Sequence, residues 1–340
     1  LAMRYVGLDV HVRQSTFCVL DHRGRKLMTR TVKGSVPSVV AELAMLKRPF
    51  AVCFEASTGY GFLFERLRTV ARRIVVAHPG QLRLIFRSKR KNDWVDAEKL
   101  AKLLFLDEVP TVYVPAHATQ AWRRLIEHRR TLMAERTRAK NGLRALLRSE
   151  GIEPPKGLWT HRGLAWLEAV ALSSPLDALQ RDLLCERVMS LTQMLARVED
   201  ALNRTAATQP GVPLLMTIPG VGIRTAEAVL AHIDDPHRFR RVKAIGRYFG
   251  VVPSQDASAQ SNRLGHITRE GPSVVRHFAV EAAWQSIRRS PRIRAFYDRV
   301  RRGDPQRTKI AVVATAHSLL RTMLAMLRTG EEWRYTTDPA

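Results

Sequence analysis

A chain of 340 residues is longer than one ordinary core supports, so two domains or more are expected. Its 56 lysines and arginines face only 31 aspartates and glutamates, and a formal charge of +25 calls for a polyanionic partner, nucleic acid first. Apolar residues make up 45%, enough for globular packing, while three scattered cysteines (Cys18, Cys53 and Cys185) with no CxxC pair argue against a disulfide framework and a zinc site.

A membrane surface is the competing polyanion, but no segment reaches roughly 18 uninterrupted apolar residues. The stretch from Ile310 to Leu327 is broken by His317 and Arg321. Arg4 and Asp9 flank a short strand-like run where a cleavable signal would carry a long apolar core. These features give the expectation of a cytosolic chain without a membrane partner; Leu1 and Ala2, which precede Met3, are set aside.

In chain order, "RYVGLDVH", "STFCVLDHRG" and "KLMTRTVKG" are three β-rich runs separated by polar or glycine-containing breaks, as in an antiparallel meander. A helix follows from Val36 to Leu46. "FAVCFEAS" is a continuous apolar run of strand length ending in a carboxylate, "GYGFLFERLRTVA" reads as a helix, and "RRIVVAHP" as another buried strand. Three strands, helix, strand, helix, strand is the element order of the ribonuclease H architecture.

"KNDWVDAEKLAKLL" then opens a helix with two aspartates three residues apart. Carboxylates in a first turn favour the positive end of the helix dipole, which alone would explain Asp93 and Asp96. Residues at i and i+3 are also close enough to share one divalent cation. Asp9 closes the first strand and Glu55 the fourth, where either would serve as a simple strand-end cap; four acids at these places point to a metal site.

From Thr119 to about Glu150 a long helical pattern is dense in arginine, with Arg129, Arg130, Arg136 and Lys140 among its cations. It reads as a solvated face, an arginine-rich wall against phosphates, or a helical dimer arm. After "EPPKG", residues 176 to 207 form a second long amphipathic helix, with Leu179, Leu183, Val188, Leu191 and Leu195 at helical spacing, suited to an antiparallel hairpin or an intersubunit coiled coil.

"LLMTIPGVGIRTAEAVLAHI", residues 214 to 233, is a helix-hairpin-helix pattern. Gly220 and Gly222 would let backbone N–H groups approach a phosphate beside a helix N-terminus, with Arg224 adjacent; a tight turn for packing alone is the plainer account. Beyond it, the segment around "GVVPSQDASAQSNRLGHITREG" reads as a polar loop between helices, holding Ser254, Ser258 and Ser261 with Arg263 and Arg269 on its C-terminal side to hold a phosphate near a serine hydroxyl.

With these motifs in hand, the sequence resembles the DEDD-type transposases of bacterial insertion sequences, the insertion-sequence 110 and 1111 family of bridge-RNA-guided recombinases. "GLDVH", "FEASTGYG" and "KNDWVDAEKLAKLL" are similar to its RuvC-like half, and "IPGVGIRTAEAVL", "FGVVPSQDAS" and "RLGHITREG" to its C-terminal transposase half. The resemblance implies an α/β plus α protein: a RuvC-like, ribonuclease H-like domain (3–115), a helical, coiled-coil region (116–207), and a mainly helical C-terminal domain with the helix-hairpin-helix and the serine loop (208–335).

It implies that Asp9, Glu55, Asp93 and Asp96 bind Mg2+ and that Ser258 is the catalytic serine. Here Ala257, Ala259 and Gln260 stand where the family usually has a second hydroxyl residue and glycines, so Ser254 and Ser261 remain alternatives. The implied activity is RNA-guided cleavage and exchange of insertion-sequence DNA through a covalent phosphoserine. The implied partners are donor and target double-stranded DNA, a structured guide RNA and further copies of the chain, as a dimer or tetramer, in the bacterial cytoplasm at the nucleoid. A RuvC-like structure-selective nuclease using water, or a non-catalytic nucleic-acid scaffold, are the competing readings.

Overall fold

The computed structural model describes residues 2–57, 59–85, 92–258 and 261–334, the side chains at 256–258, 261, 262 and 264 excepted. The chain divides into two units, 1–117 and 118–340.

In the first unit the meander forms as β1 (Arg4–Val10), β2 (Gln14–Leu20) and β3 (Lys26–Lys33), followed by α1 (Val36–Ala44), β4 (Phe50–Glu55), α2 (Tyr60–Leu67) and β5 (Arg73–Ala77). Two further helices, α3 (Pro79–Ile85) and α4 (Asp93–Phe105), complete it. The five-stranded sheet has the order β3-β2-β1-β4-β5, antiparallel across the meander and parallel from β1 to β4 to β5.

Strand residues alternate between faces, and here both faces are covered. Val6, Leu8, Val52 and Phe54 pack with Val39 and Leu43 of α1 and Leu63 and Leu67 of α2. Ala51, Cys53, Val75 and Ala77 pack with Leu100, Leu103 and Leu104 of α4, and Cys18 and Leu20 with Ala97 and Ala101. Gly7 lies where α4 crosses β1: a Cβ there would sit 2.0 Å from the Ala97 carbonyl oxygen and 2.3 Å from the Ala101 nitrogen. The absence of a side chain lets the helix backbone rest directly on the strand.

The second unit begins with two 33-residue helices, α5 (His117–Ser149) and α7 (Pro175–Ala207), joined through the short α6 (His161–Ala169). Their register is antiparallel. Arg129 of α5 meets Glu199 of α7, Leu132 packs with Leu191 and Leu195, and Ala139, Leu143 and Leu147 cluster with Val188. Ser174 caps α7 by accepting from the Leu176 N–H at 3.1 Å, with Pro175 in the first helical position.

The rest is a helical bundle: α8 (Gly211–Met216), α9 (Ile223–Ile233), α10 (Ala244–Tyr248), α11 (Ser273–Arg289), α12 (Pro291–Arg301) and α13 (Thr308–Thr329), with a core that runs from Leu215 through Val229, Phe249 and Ala279 to Leu320 and Met323. The segment 305–329 is long and apolar enough to cross a membrane by length and composition, His317 and Arg321 notwithstanding; half of it is buried in the bundle, with Ala316, Leu320, Met323 and Leu324 fully enclosed.

The expected polar loop after α10 is instead an antiparallel hairpin of β6 (Pro253–Ser258) and β7 (Ser261–Ile267). Neither strand alternates apolar with polar residues, so no periodicity announces it. Backbone pairing forms it, and contacts at its base hold it: Arg276 of α11 donates to the carbonyls of Phe249, Glu270 and Gly271.

Candidate functional site

β1 and β4 run parallel with Leu8 beside Phe54, so the next position of each strand sets Asp9 beside Glu55. Asp9 is two residues beyond Gly7, and Glu55 two beyond Cys53, so both project from the face that α4 covers. The first turn of α4 brings Asp93 and Asp96 to the same end of that face, fixed by the Asn92 side chain, which accepts from the Trp94 N–H at 3.0 Å.

Side-chain atoms of Asp9, His11 and Asp93 lie within 4.8 Å of one another. His11 Nε2 is 3.2 Å from an Asp9 carboxylate oxygen and 3.6 Å from one of Asp93, and Gln14 Nε2 donates to Asp93 at 3.5 Å. Asp96 and Glu55 lie outside that trio; Lys99 Nζ is 3.3 Å from Asp96, and Glu55 is exposed at its strand end. Burial pushes the Asp9 carboxyl above its ordinary range; His11 pulls it down, and the charges of Asp93 and Asp96 push it further up.

Negative charge is thus gathered in a partly buried place with one imidazole against it. A divalent cation would relieve that crowding, and carboxylate oxygens suit a hard one. The donor set therefore fits the metal that the resemblance implies. Sequence reading singled out the acids and passed over His11 and Gln14, although Asp-x-His on a strand end puts both side chains on one face.

In the second unit, the β6–β7 register pairs Ser258 with Ser261 at the closed end of the hairpin and Asp256 with Arg263 further down. The side chains of Ser258 and Ser261 lie outside the described residues. Ser254 is exposed, and its Oγ sits where a side chain on Gly265 would be. Arg263 is exposed on β7, and Arg269 follows it with a positive φ of 57°.

The two glycines of the helix-hairpin-helix differ. Gly220 has φ of +92° and is pressed against α11, where a Cβ would meet the Ser286 nitrogen at 2.5 Å; Gly222, the N-cap of α9, has open space around it. Packing accounts for the first, whereas the second leaves the helix N-terminus open to an anion. Arg224 is turned inward: it donates to the buried Glu227 at 2.9 Å and to the Asn203 side chain.

The α5 cations also separate into two groups. Arg129 is paired with Glu199 at 2.8 Å and Arg130 with Glu127 at 3.1 Å. Arg136 donates to the Met133 sulfur at 3.2 Å, and the Lys140 ammonium stands 4.6 Å from the centre of the Trp159 ring.

Two family models match this chain. One, of IS110-type DEDD transposases, covers residues 6–151, and the other, of the transposase IS116/IS110/IS902 family, covers 212–298. A protein of Sinorhizobium fredii named as a transposase is 26% identical over 296 residues, 85% of this chain and 73% of the relative. The transposase for insertion sequence element IS1111A of Coxiella burnetii is 25% identical over 290 residues, 84% of this chain and 78% of its own. The pilin gene-inverting protein of Moraxella bovis is 27% identical over 141 residues, 41% of this chain and 44% of its own.

Proposed function

The chain belongs to the IS116/IS110/IS902 family of transposases and is a DNA transposase or recombinase, and on that premise we propose that it cuts and exchanges insertion-sequence DNA under the guidance of a structured RNA, with Mg2+ at its acids and a covalent phosphoserine at Ser258. The observation that carries this reading is the gathering of Asp9 and Asp93, from a strand end and a helix start far apart in sequence, around one point.

The strand order β3-β2-β1-β4-β5, with acids on the two adjacent central strands and on the helix that covers them, supports a RuvC-like, ribonuclease H-like identity for residues 3–115. Asp9, Glu55, Asp93 and Asp96 would hold Mg2+. When bound, the metal supplies neutralisation of the phosphodiester charge and stabilisation of the oxygens that gain charge as the bond breaks.

The chain's own residues do the rest. The Ser258 hydroxyl attacks phosphorus, forming the Oγ–P bond as the bond from phosphorus to the leaving deoxyribose oxygen breaks, and the hydroxyl proton ends on that leaving oxygen. The diester is conserved as phosphoserine, and a deoxyribose hydroxyl of the exchanged strand reverses the step. Arg263 and Arg269 steady the phosphate from the C-terminal side of the hairpin. Gene inversion, in the name of the Moraxella relative, is a rearrangement that rejoins what it cuts, and a covalent intermediate suits it better than hydrolysis by water.

Residues 116–207 serve as a helical arm and 208–335 as the transposase domain, in which the open N-terminus of α9 at Gly222 is the phosphate-facing end of the helix-hairpin-helix. Leu176, Leu179 and Leu183 are exposed at i, i+3 and i+7 near the start of α7, which supports assembly of the chain as a homo-oligomer through the arms. The net charge of +25 fits DNA and RNA partners together, and a cytoplasmic site of action at the nucleoid follows from them.

The test is strand cleavage of element-end DNA with the copurified RNA, with Mg2+ and with chelator. Cleavage that needs both the metal and Asp93 supports the reading. Cleavage that survives chelation or the Asp93→Asn change removes the acids from the chemistry.

A further inference from the structure

Four cations stand in a row on the outer half of α5: Arg136, Lys140, Arg144 and Arg148, spaced four residues apart. On a helix this spacing makes a ridge that rises about 6 Å per step and runs about 18 Å in all. Among the described residues none of the four has a carboxylate within 4.0 Å, whereas on the inner half Arg129 and Arg130 each have one. The single acid between residues 131 and 149 is Glu135. At about 100° per residue it points roughly opposite Arg144 and well away from the other three.

The row is also held in place. Trp159, in the connection between α5 and α6, lies with its ring centre 4.6 Å from the Lys140 ammonium and 5.6 Å from the Arg144 guanidinium carbon. Burial and the charges of Arg136 and Arg144 push the Lys140 ammonium below its ordinary pKa, so the row carries a repulsion that an anion would relieve. Arg144 and Arg148 are exposed.

We propose that Arg136, Lys140, Arg144 and Arg148 form a binding site for the sugar-phosphate backbone of duplex DNA on the helical arm. A single strand is best served by aromatic faces open to its bases, and the Trp159 ring is already covered by two cations. A ridge of point charges that turns by only about 40° per step suits the regular phosphates of a duplex, which advance 3.4 Å per strand step, so that 18 Å matches roughly five phosphates. Such contacts position the DNA without reading its sequence. The inference rests on the reading that the chain acts on DNA, but not on the chemistry of the acids or of Ser258.

The test uses the full chain and a 30-base-pair duplex, with binding followed by fluorescence anisotropy over a range of salt concentrations. Replacing all four cations by glutamine should lower the slope of log affinity against log salt by about 3 to 4, since each lost phosphate contact removes about 0.9. Helicity and melting temperature should hold, because the four side chains face solvent or lie along the edge of the arm. The pair Arg129→Gln and Arg130→Gln should change the slope by less than one unit. A slope for the fourfold variant within one unit of the unaltered chain overturns the site, as does a loss confined to structured RNA while duplex DNA binding stays intact. If the unaltered chain binds no duplex DNA at low salt, the proposed function falls together with the site. An Asp9→Asn chain that no longer cleaves but keeps the full slope leaves the ridge standing.

Discussion

Replacing Gly7 by alanine tests how the acids are brought together. The added Cβ would lie 2.0 Å from the Ala97 carbonyl oxygen and 2.3 Å from the Ala101 nitrogen, and both are backbone atoms of α4 that no rotamer change can move. A tolerable contact needs about 1 Å more, so the helix must lift or slide by about that distance, a small-to-large change in a packed core that costs about 1–3 kcal/mol. With backbone on both sides, the upper end applies. For a unit of this size about 3 kcal/mol lowers the melting temperature by roughly 10 °C. Because α4 carries Asp93 and Asp96, the same shift separates them from Asp9, and a misplacement of about 1 Å can cost about 100-fold in rate. Calorimetry gives the melting temperature, titration with Mg2+ the affinity, and cleavage of supercoiled DNA the rate; Gly222→Ala, in open space with φ of −93°, is the control for melting and metal affinity. A Gly7→Ala chain with unaltered melting and metal affinity would refute the packing argument, and one that melts early yet binds metal normally would remove α4 from the site.

Changing Asp9 to Asn, Glu55 to Gln, Asp93 to Asn or Asp96 to Asn should each abolish cleavage and spare the fold. Since burial and the neighbouring carboxylates disfavour the charged form of Asp9, the Asp9→Asn melting temperature without Mg2+ should hold or rise, and a clear fall contradicts this. Burial pushes His232 down to about 4, with its Nδ1 2.8 Å from the Ala228 carbonyl oxygen. The unfolded chain takes up that proton near pH 6.5, so stability present above pH 6.5 should be lost as pH falls toward 4, by up to about 3 kcal/mol. Urea titrations should show this loss and its flattening in His232→Phe; an equal acid dependence in both chains refutes the assignment. Mixing Asp9→Asn chains with Ser258→Ala chains should restore part of the strand exchange if acids and serine come from different subunits, and stable mixed assemblies without recovery place them on one chain.

The first unit was legible because its two faces are written as alternation: Val6 and Leu8 toward one layer of helices, Gly7 and Asp9 toward the other. The strand-end acids and the two aspartates that open α4 stood out as well, whereas the Asn92 cap that fixes that opening is visible only in the structure. Gly7 gave no such signal, since its role depends on a helix some 90 positions away in sequence. His11 went unnoticed although Asp9 is only two residues away, because its other neighbour in the cluster, Asp93, lies about 80 positions on. The β6–β7 hairpin was invisible because its sequence does not alternate apolar with polar residues, and its strand pairing is a matter of backbone register that side-chain periodicity does not record. In the helical arm the spacing marks two long helices, but spacing alone could not tell Arg129 and Arg130, each paired with a carboxylate, from the cations beyond them, which have no carboxylate within 4.0 Å among the described residues.

The central claim is that DNA is held through a serine between cleavage and rejoining. A nicked or mismatched substrate that stalls rejoining should leave DNA attached to the protein, and protease digestion followed by mass spectrometry should give one peptide that carries a nucleotide. The account predicts the modification on Ser258. A nucleotide on Ser254 or Ser261 would move the nucleophile along the hairpin, and cleavage without any adduct would contradict the covalent mechanism and leave a water-using nuclease in its place.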